Sequence, residues 1–299
     1  MPAIEINGLS KRFGGVAAVD DLSFTARQGA VTGFLGPNGA GKTTTLRMLL
    51  GLASPTSGSA TIDGQPYAQL ADPARHVGAV LETTGFHPGR RARDHLRVLA
   101  AAGGLPSARV DEVLGQVGLA EAANRRVKGF SLGMRQRLGL ASALLGRPAV
   151  LILDEPANGL DPEGVHWLRQ FLRGFADNGG TVLVSSHLLA EVAQTVDEVV
   201  IIANGRLVTQ SSLADLTSRS QSGVRVRTPD AEALRGALGA EEIAAELVAA
   251  EMVMAYQTTT EAVGLAAAGA GLVIYEMTSE RLDLEEMFLE LTNTEGAIR

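Results

Sequence analysis

The stretch Val31-Thr32-Gly33-Phe34-Leu35-Gly36-Pro37-Asn38-Gly39-Ala40-Gly41-Lys42-Thr43-Thr44 decides how this chain is read. Val31 to Leu35 is a short apolar run, Gly36 to Thr43 fits the pattern Gly-x-x-x-x-Gly-Lys-Ser/Thr, and Thr44 to Leu50 has a helical composition. A strand that passes through a glycine-rich loop into a helix gathers backbone N–H groups around one point and aims the positive helix end at it. Such a loop suits a row of phosphates. Lys42 supplies a cation for β- and γ-phosphate oxygens and Thr43 a hydroxyl for Mg²⁺, while Gly36, Pro37, Asn38, Gly39, Ala40, Gly41 and Thr44 complete the candidate ATP-binding loop. The alternative is a turn that merely joins strand to helix, and Lys-Thr at this spacing argues against it.

Outward from this loop, Val77–Leu81, Val150–Leu153, Val182–Ser185 and Val199–Ala203 are short apolar runs separated by helical patterns. That alternation predicts a parallel sheet covered on both faces. Val150–Leu153 runs straight into Asp154-Glu155, two carboxylates at a strand end, where open α/β sheets bind ligands. Asp154 is a candidate Mg²⁺ ligand and Glu155 a candidate base that orients and deprotonates an attacking water. Solvated acids at an ordinary strand exit are the alternative for the pair taken alone. His187 ends another expected strand, within reach of a γ-phosphate; a lone histidine is more often structural.

Nearer the start, Ile4–Leu9 and Leu22–Ala26 alternate apolar with polar residues and are expected to pair with Ala60–Ile62 in an antiparallel β subdomain. Between Arg93 and Gly146 the patterns are helical, so a helical insertion of about 83–148 interrupts the sheet. The expected fold class is α/β, a P-loop NTPase with a RecA-like parallel sheet over 1–210. A polar linker at 211–222 and a small C-terminal α+β domain at 223–299 follow. In that last part Val224–Arg227 and Leu272–Tyr275 read as strands, with Ala231–Leu238 and Leu284–Leu291 as helices.

Composition narrows the function. The chain has 299 residues, 45% apolar and 20% charged, enough for one full core and a smaller second one. A formal charge of −7 argues against a nucleic-acid footprint, and the lack of cysteine removes disulfides and thiolate metal sites. The opening, Met1 to Phe13, has charged and polar residues where a secretory signal needs an apolar stretch, so export is not expected. No charge-free apolar run reaches the ~18 residues that span a bilayer, so any membrane role needs a separate spanning partner.

The segment Phe130-Ser131-Leu132-Gly133-Met134-Arg135-Gln136-Arg137 resembles the signature loop of ABC ATPases, LSGGQ followed by a Gln-Arg pattern. Ser131 and Gly133 match it; Leu132 and Met134 depart. Ser131 is expected to cap a helix running to Leu145, so that its hydroxyl and the helix N–H groups face an anion; a plain helix cap is the alternative. The resemblance extends over about the first 205 positions. It implies ATP hydrolysis with Mg²⁺ and a head-to-tail dimer in which Ser131, Leu132, Gly133 and Met134 face the nucleotide held by a second copy. It further implies that the loop Asn158-Gly159-Leu160-Asp161 crosses the dimer interface, that His187 is the switch histidine, and that Phe13 stacks on adenine. Core packing is the alternative for Phe13. A separate permease subunit and a place on the cytoplasmic face of the membrane come with the same family, and nucleic acid does not.

Where the family usually has Gln at the strand entering the insertion, this chain has Glu82, an acceptor-only group that should hold Mg²⁺ more strongly. Glu82 and Ser-Leu-Gly-Met together resemble the bacitracin- and lantibiotic-resistance type of exporter. Arg90, Arg91, Arg93 and Arg97 read either as a solvated face or as a contact for the membrane subunit. The tail Leu282-Asp283-Leu284-Glu285-Glu286-Met287-Phe288 resembles the accessory domain of exporter ATPases. An importer ATPase, a soluble ABC ATPase acting on DNA or ribosomes, and a nucleotide-binding regulator without turnover are the rival readings.

Overall fold

The computed structural model describes residues 2–81, 85–219, 222–281 and 292. Strand β1 (Pro2–Phe13) and strand β2 (Val16–Arg27) form an antiparallel pair. Along β2 the buried residues Val19, Leu22, Phe24 and Ala26 face one side; Asp21, with φ 52, absorbs the register shift between Val19 and Leu22. Strand β3 (Val31–Leu35) is buried throughout and leads to helix α1 (Lys42–Leu49). Strand β4 (Ser57–Ile62) returns to pair with β1, Ile4 opposite Ile62, in a sheet of order β2-β1-β4. The expected three-way pairing is thus corrected in one respect: β1 stands in the middle and β2 does not touch β4.

Helix α2 (Pro73–His76) precedes strand β5 (Val77–Val80), after which come the helices of the insertion, α3 (Ala92–Ala102), α4 (Arg109–Gln116) and α5 (Leu132–Leu144). The chain re-enters the sheet with β6 (Val150–Leu153), α6 (Pro162–Asp177), β7 (Thr181–Ser186), α7 (Leu189–Val192), β8 (Glu198–Ala203) and β9 (Arg206–Ser212). The sheet order is β5-β6-β7-β3-β8-β9, parallel except for the antiparallel edge strand β9. Every residue of β3, β6 and β7 is buried, as strands covered on both faces require. The rings of Phe24 and Phe34, 5.0 Å apart, join the antiparallel sheet to the parallel one. Because β6, β7 and β3 are consecutive neighbours, their carboxyl ends share one rim, and three segments far apart in sequence meet there.

Two helices of the insertion are tied together by a buried arginine. Arg109 opens α4 and donates to the carbonyls of Leu144 and Leu145, which end α5, while its other donor meets the Glu112 carboxylate. Orphan carbonyls at a helix end favour a cation there.

Residues Ala214–Glu290 belong to a second compact unit. The polar stretch expected as a linker carries the end of β9 and helix α8 (Leu213–Arg219). Strand β10 (Ser222–Arg227), helix α9 (Ala231–Ala240), strands β11 (Ala245–Ala249) and β12 (Met252–Tyr256), helix α10 (Thr260–Gly269) and strand β13 (Glu276–Arg281) follow. Their order, β11-β12-β10-β13, with every pair of neighbours antiparallel, is the split βαβ, or ferredoxin-like, arrangement. Val224, Val226, Val253 and Ala255 form its core with Leu234, Leu238 and Val263. Leu272–Tyr275, expected as a strand, is not one: Leu272 and Ile274 pack on this core from irregular backbone, and the strand is the polar β13 behind them. Glu82, Leu282–Phe288 and the expected helix Leu284–Leu291 lie outside the described residues.

Hydrogen bonds from Arg109, then from Arg147, hold the Glu112 carboxyl below its ordinary value of 4.5. A depressed folded-state pKa gives stability that is present above that value and is lost as pH falls through the folded one. We expect Glu112→Gln to lower the denaturant midpoint near neutral pH, with the gap to wild type closing in acid; a gap that is constant across the titration contradicts the linkage.

Candidate functional site

Asp154, 3% exposed, sits where β6 ends. A buried carboxylate needs donors on both oxygens, and it has them. Thr43 Oγ1 donates to its Oδ2 at 2.7 Å and Ser185 Oγ to its Oδ1 at 2.6 Å. The same Ser185 oxygen accepts from the backbone N–H of Glu155 at 2.9 Å, so one hydroxyl at the end of β7 fixes both acidic residues. Glu155 has φ 48, a left-handed conformation unfavourable for a residue with a Cβ. That turn sends its side chain between Lys42 and His187. Oε1 lies 3.2 Å from Lys42 Nζ and Oε2 lies 2.9 Å from His187 Nδ1.

Lys42 is 6% exposed and also donates to the carbonyls of Gly36 at 2.6 Å and Pro37 at 3.3 Å. The loop lies close against its neighbours at two glycines. A Cβ on Gly36 would stand 2.5 Å from the Ile202 carbonyl, and one on Gly41, with φ 104, 2.5 Å from the Ala18 carbonyl. Between loop and acids lies an open cleft of about 420 Å³, lined by Ala18, Asn38, Gly39, Gly41 to Thr44, Glu155, Asn158 and His187.

The residues around Ser131 form a different surface. Ser131 caps α5, its Oγ accepting from the Met134 N–H at 3.2 Å, so the expected cap is present and its hydroxyl lies at the helix N-terminus. Ser131, Gly133 and Met134 line a depression of about 490 Å³ with Arg137 and Asp161, and none of them lines the Lys42 cleft. Asp161 in turn caps α6, accepting from the Gly164 N–H at 2.8 Å. Phe13 is 57% exposed, with Lys11 Nζ 5.1 Å from its ring centre, so the core-packing alternative does not hold. Arg93 is ion-paired with Asp111 and Arg97 lies 3.7 Å from Asp94, so half of the arginine cluster is engaged within its own insertion.

Comparison with known proteins gives this rim of strand ends a family. The ABC transporter family model matches residues 19–158, and a domain of unknown function matches residues 222–285. The bacitracin transport ATP-binding protein BcrA of Bacillus licheniformis is 42% identical over 230 residues, 76% of this chain and 75% of its own length. The chain belongs to the ABC transporter ATP-binding proteins. It is the ATP-binding subunit of such a transporter, and its family hydrolyses ATP. The lantibiotic transport ATP-binding protein SrtF of Streptococcus pyogenes is 37% identical, covering 69% of this chain and 89% of its own. A solved ATP-binding subunit of an ABC transporter superposes with a TM-score of 0.65 at 30% identity, over 73% of this chain and 92% of that one.

Within this ABC fold, Lys42, Thr43, Glu155 and His187 line one cleft, with Asp154 bonded to Thr43 beside it, while Ser131, Gly133 and Met134 line another. Two contributors escaped the sequence reading. Ser185 was read as the end of an apolar strand; a hydroxyl at the close of a buried run was its only signal. Ala18 reaches the cleft from β2 with nothing in its chemistry to announce it. Asn158, read only as part of the interface loop, lines the cleft as well.

Ser185→Ala removes the donor to Asp154 and the acceptor for the Glu155 N–H in one change. Leaving such buried groups unpartnered costs about 1–3 kcal/mol, and we expect that loss of unfolding free energy in urea. Wild-type stability in the variant contradicts the bridging role.

Proposed function

We propose that this chain is the ATP-hydrolysing motor of an exporter of drugs or antimicrobial peptides. Two copies work head to tail on the cytoplasmic face of the membrane, beneath a separate permease. The observation that carries the reading is the convergence of Lys42, Thr43, Glu155 and His187 on one cleft, with Asp154 held beside it by Thr43, while Ser131 and Gly133 line another. A phosphate site with its base in place but its signature residues elsewhere suits a nucleotide clasped between two chains. Among the described residues no helix is long and apolar enough to cross a membrane, which suits a partner that does. Relatives named for bacitracin and lantibiotic transport favour export of such compounds.

In this reading the N–H groups of the loop and of the first turn of α1 hold the phosphate oxygens. Lys42 exchanges its bond with Glu155 for the β- and γ-phosphates. Glu155, freed on Oε1 and still held by His187 on Oε2, accepts the proton of a water that attacks the γ-phosphorus in line as the bond to the β–γ bridging oxygen breaks, leaving ADP and phosphate. Thr43 and Asp154 present two hard oxygen donors side by side, chemistry that fits Mg²⁺. Mg²⁺ held there supplies neutralising charge for the phosphates. From the second copy, the Ser131 hydroxyl and the N–H groups opening α5 face the γ-phosphate, with Leu132 and Met134 beside it and Gly159, Leu160 and Asp161 along the seam. The exposed Phe13 ring offers adenine a stacking surface.

Glu155→Gln keeps the shape of the side chain and removes its ability to take a proton. We expect MgATP binding to persist, turnover to fall about 10²- to 10⁴-fold, and a nucleotide-bound dimer to accumulate in light scattering. Near-normal phosphate release rules out Glu155 as the base.

A further inference from the structure

The turn that joins β8 to β9 is bonded to the phosphate loop. It is a two-residue hairpin loop, Asn204-Gly205, closed by the pairing of Ala203 with Arg206. Its φ values, 50 at Asn204 and 79 at Gly205, have the signs that a type I′ turn requires. A glycine there is ordinary turn chemistry, but its hydrogen bonds leave the hairpin. Gly205 N–H donates to the Ala40 carbonyl of the phosphate loop at 3.0 Å, and the Gly205 carbonyl accepts from the Asp20 N–H of β2 at 2.9 Å. One residue thus joins the loop to the strand beside it.

The packing is as tight as the bonding. A Cβ on Gly205 would stand 2.9 Å from the Ala18 carbonyl oxygen and 2.9 Å from Val19 Cα. The same Ala18 oxygen would be 2.5 Å from a Cβ on Gly41, so it is wedged between a glycine of the turn and a glycine of the phosphate loop. Gly205, Val19 and Ala40 are all buried, and close-packed backbone has no room to yield. Further along, β9 holds β2 by side chains. Arg206 Nε and Nη2 donate to Asp20 Oδ2 at 3.0 and 2.6 Å, and the Gln210 amide donates to the Thr25 carbonyl at 2.9 Å and accepts from the Thr25 N–H at 3.3 Å. Ala18, two residues before Asp20, lines the Lys42 cleft.

We propose that Gly205 is a positioning residue for nucleotide affinity, seating the Ala18 stretch of β2 against the phosphate loop and thereby fixing one wall of the cleft. It touches no reacting atom. Glu155 and His187 follow β6 and β7 and are held by Ser185 and by each other, so the turn acts on binding and leaves the chemical step alone. The inference rests on the reading of the Lys42 cleft as the nucleotide site.

The test compares wild type, Gly205→Ala, Gly205→Asn and Arg206→Met in the full-length chain, measuring kcat, KM and Kd for MgATP, and the melting temperature. Asparagine tolerates a positive φ, so Gly205→Asn spares the turn and keeps the N–H while bringing a Cβ against the Ala18 carbonyl. We expect both Gly205 variants to raise KM and Kd ~tenfold with kcat at saturation within ~twofold of wild type. Arg206→Met loosens β2 without crowding it, and we expect KM to rise ~threefold at an unchanged melting temperature, since an exposed ion pair adds little to stability. Wild-type KM in Gly205→Asn means that the glycine serves the turn alone and overturns the proposal, as does a fall in kcat with KM unmoved. If neither Gly205 variant folds, Arg206→Met decides: a raised KM supports the positioning role and an unmoved one overturns it. Failure of the wild-type chain to bind MgATP overturns the nucleotide-cleft reading and the proposal together, whereas wild-type binding with unmoved KM in the variants overturns the proposal alone.

Discussion

A carboxylate that is almost completely buried at the end of a strand is a structural obligation before it is a catalytic opportunity. Stripping an ion of water costs several kcal/mol unless hydrogen bonds replace the water, and Asp154 is held by a hydroxyl on each oxygen. One of those hydroxyls comes from the phosphate loop and the other from β7, so satisfying Asp154 fixes three segments relative to one another. The left-handed turn at Glu155 follows, because its N–H is claimed by the same Ser185. With the backbone so constrained, the Glu155 side chain has a definite place between Lys42 and His187.

That arrangement gives the cleft its charge logic. Lys42 pairs with Glu155 inside the chain, and in the proposed mechanism a triphosphate competes for the same ammonium group with several negative oxygens. In that mechanism binding and activation of the base are one exchange rather than two events. The insertion stands under different constraints. Arg109 ties α4 to the end of α5, Ser131 caps the beginning of α5, and Arg137 lies 4.2 Å over the Trp167 ring of α6. The helix that carries the signature residues is thus fastened at both ends and along its side.

The C-terminal unit shows what composition hides. Its core of valines, leucines and alanines packs two helices on one face of a four-stranded sheet. The edge strand Ala245–Ala249 carries Glu246 between its alanines, and the other edge strand, β13, is largely polar, so neither gave a clear alternating signal. Edge strands with one face in water need few apolar residues, and periodicity fades with them.

By itself the sequence determined the phosphate loop, the order of the strands along the chain, the acidic pair at the end of one of them, the capped signature helix and the family to which these belong. Those features are local: a spacing of glycines, a run of apolar residues or a serine before a helix is legible within a few positions. Only the tertiary structure decided that β1 lies between β2 and β4, that Ser185 joins Asp154 to Glu155, that Phe13 is exposed and that the Ala18 carbonyl is wedged between Gly41 and Gly205. Each depends on which strand ends and loops become neighbours. Sheet order and side-chain packing set those contacts between residues tens of positions apart, where no spacing in the chain records them.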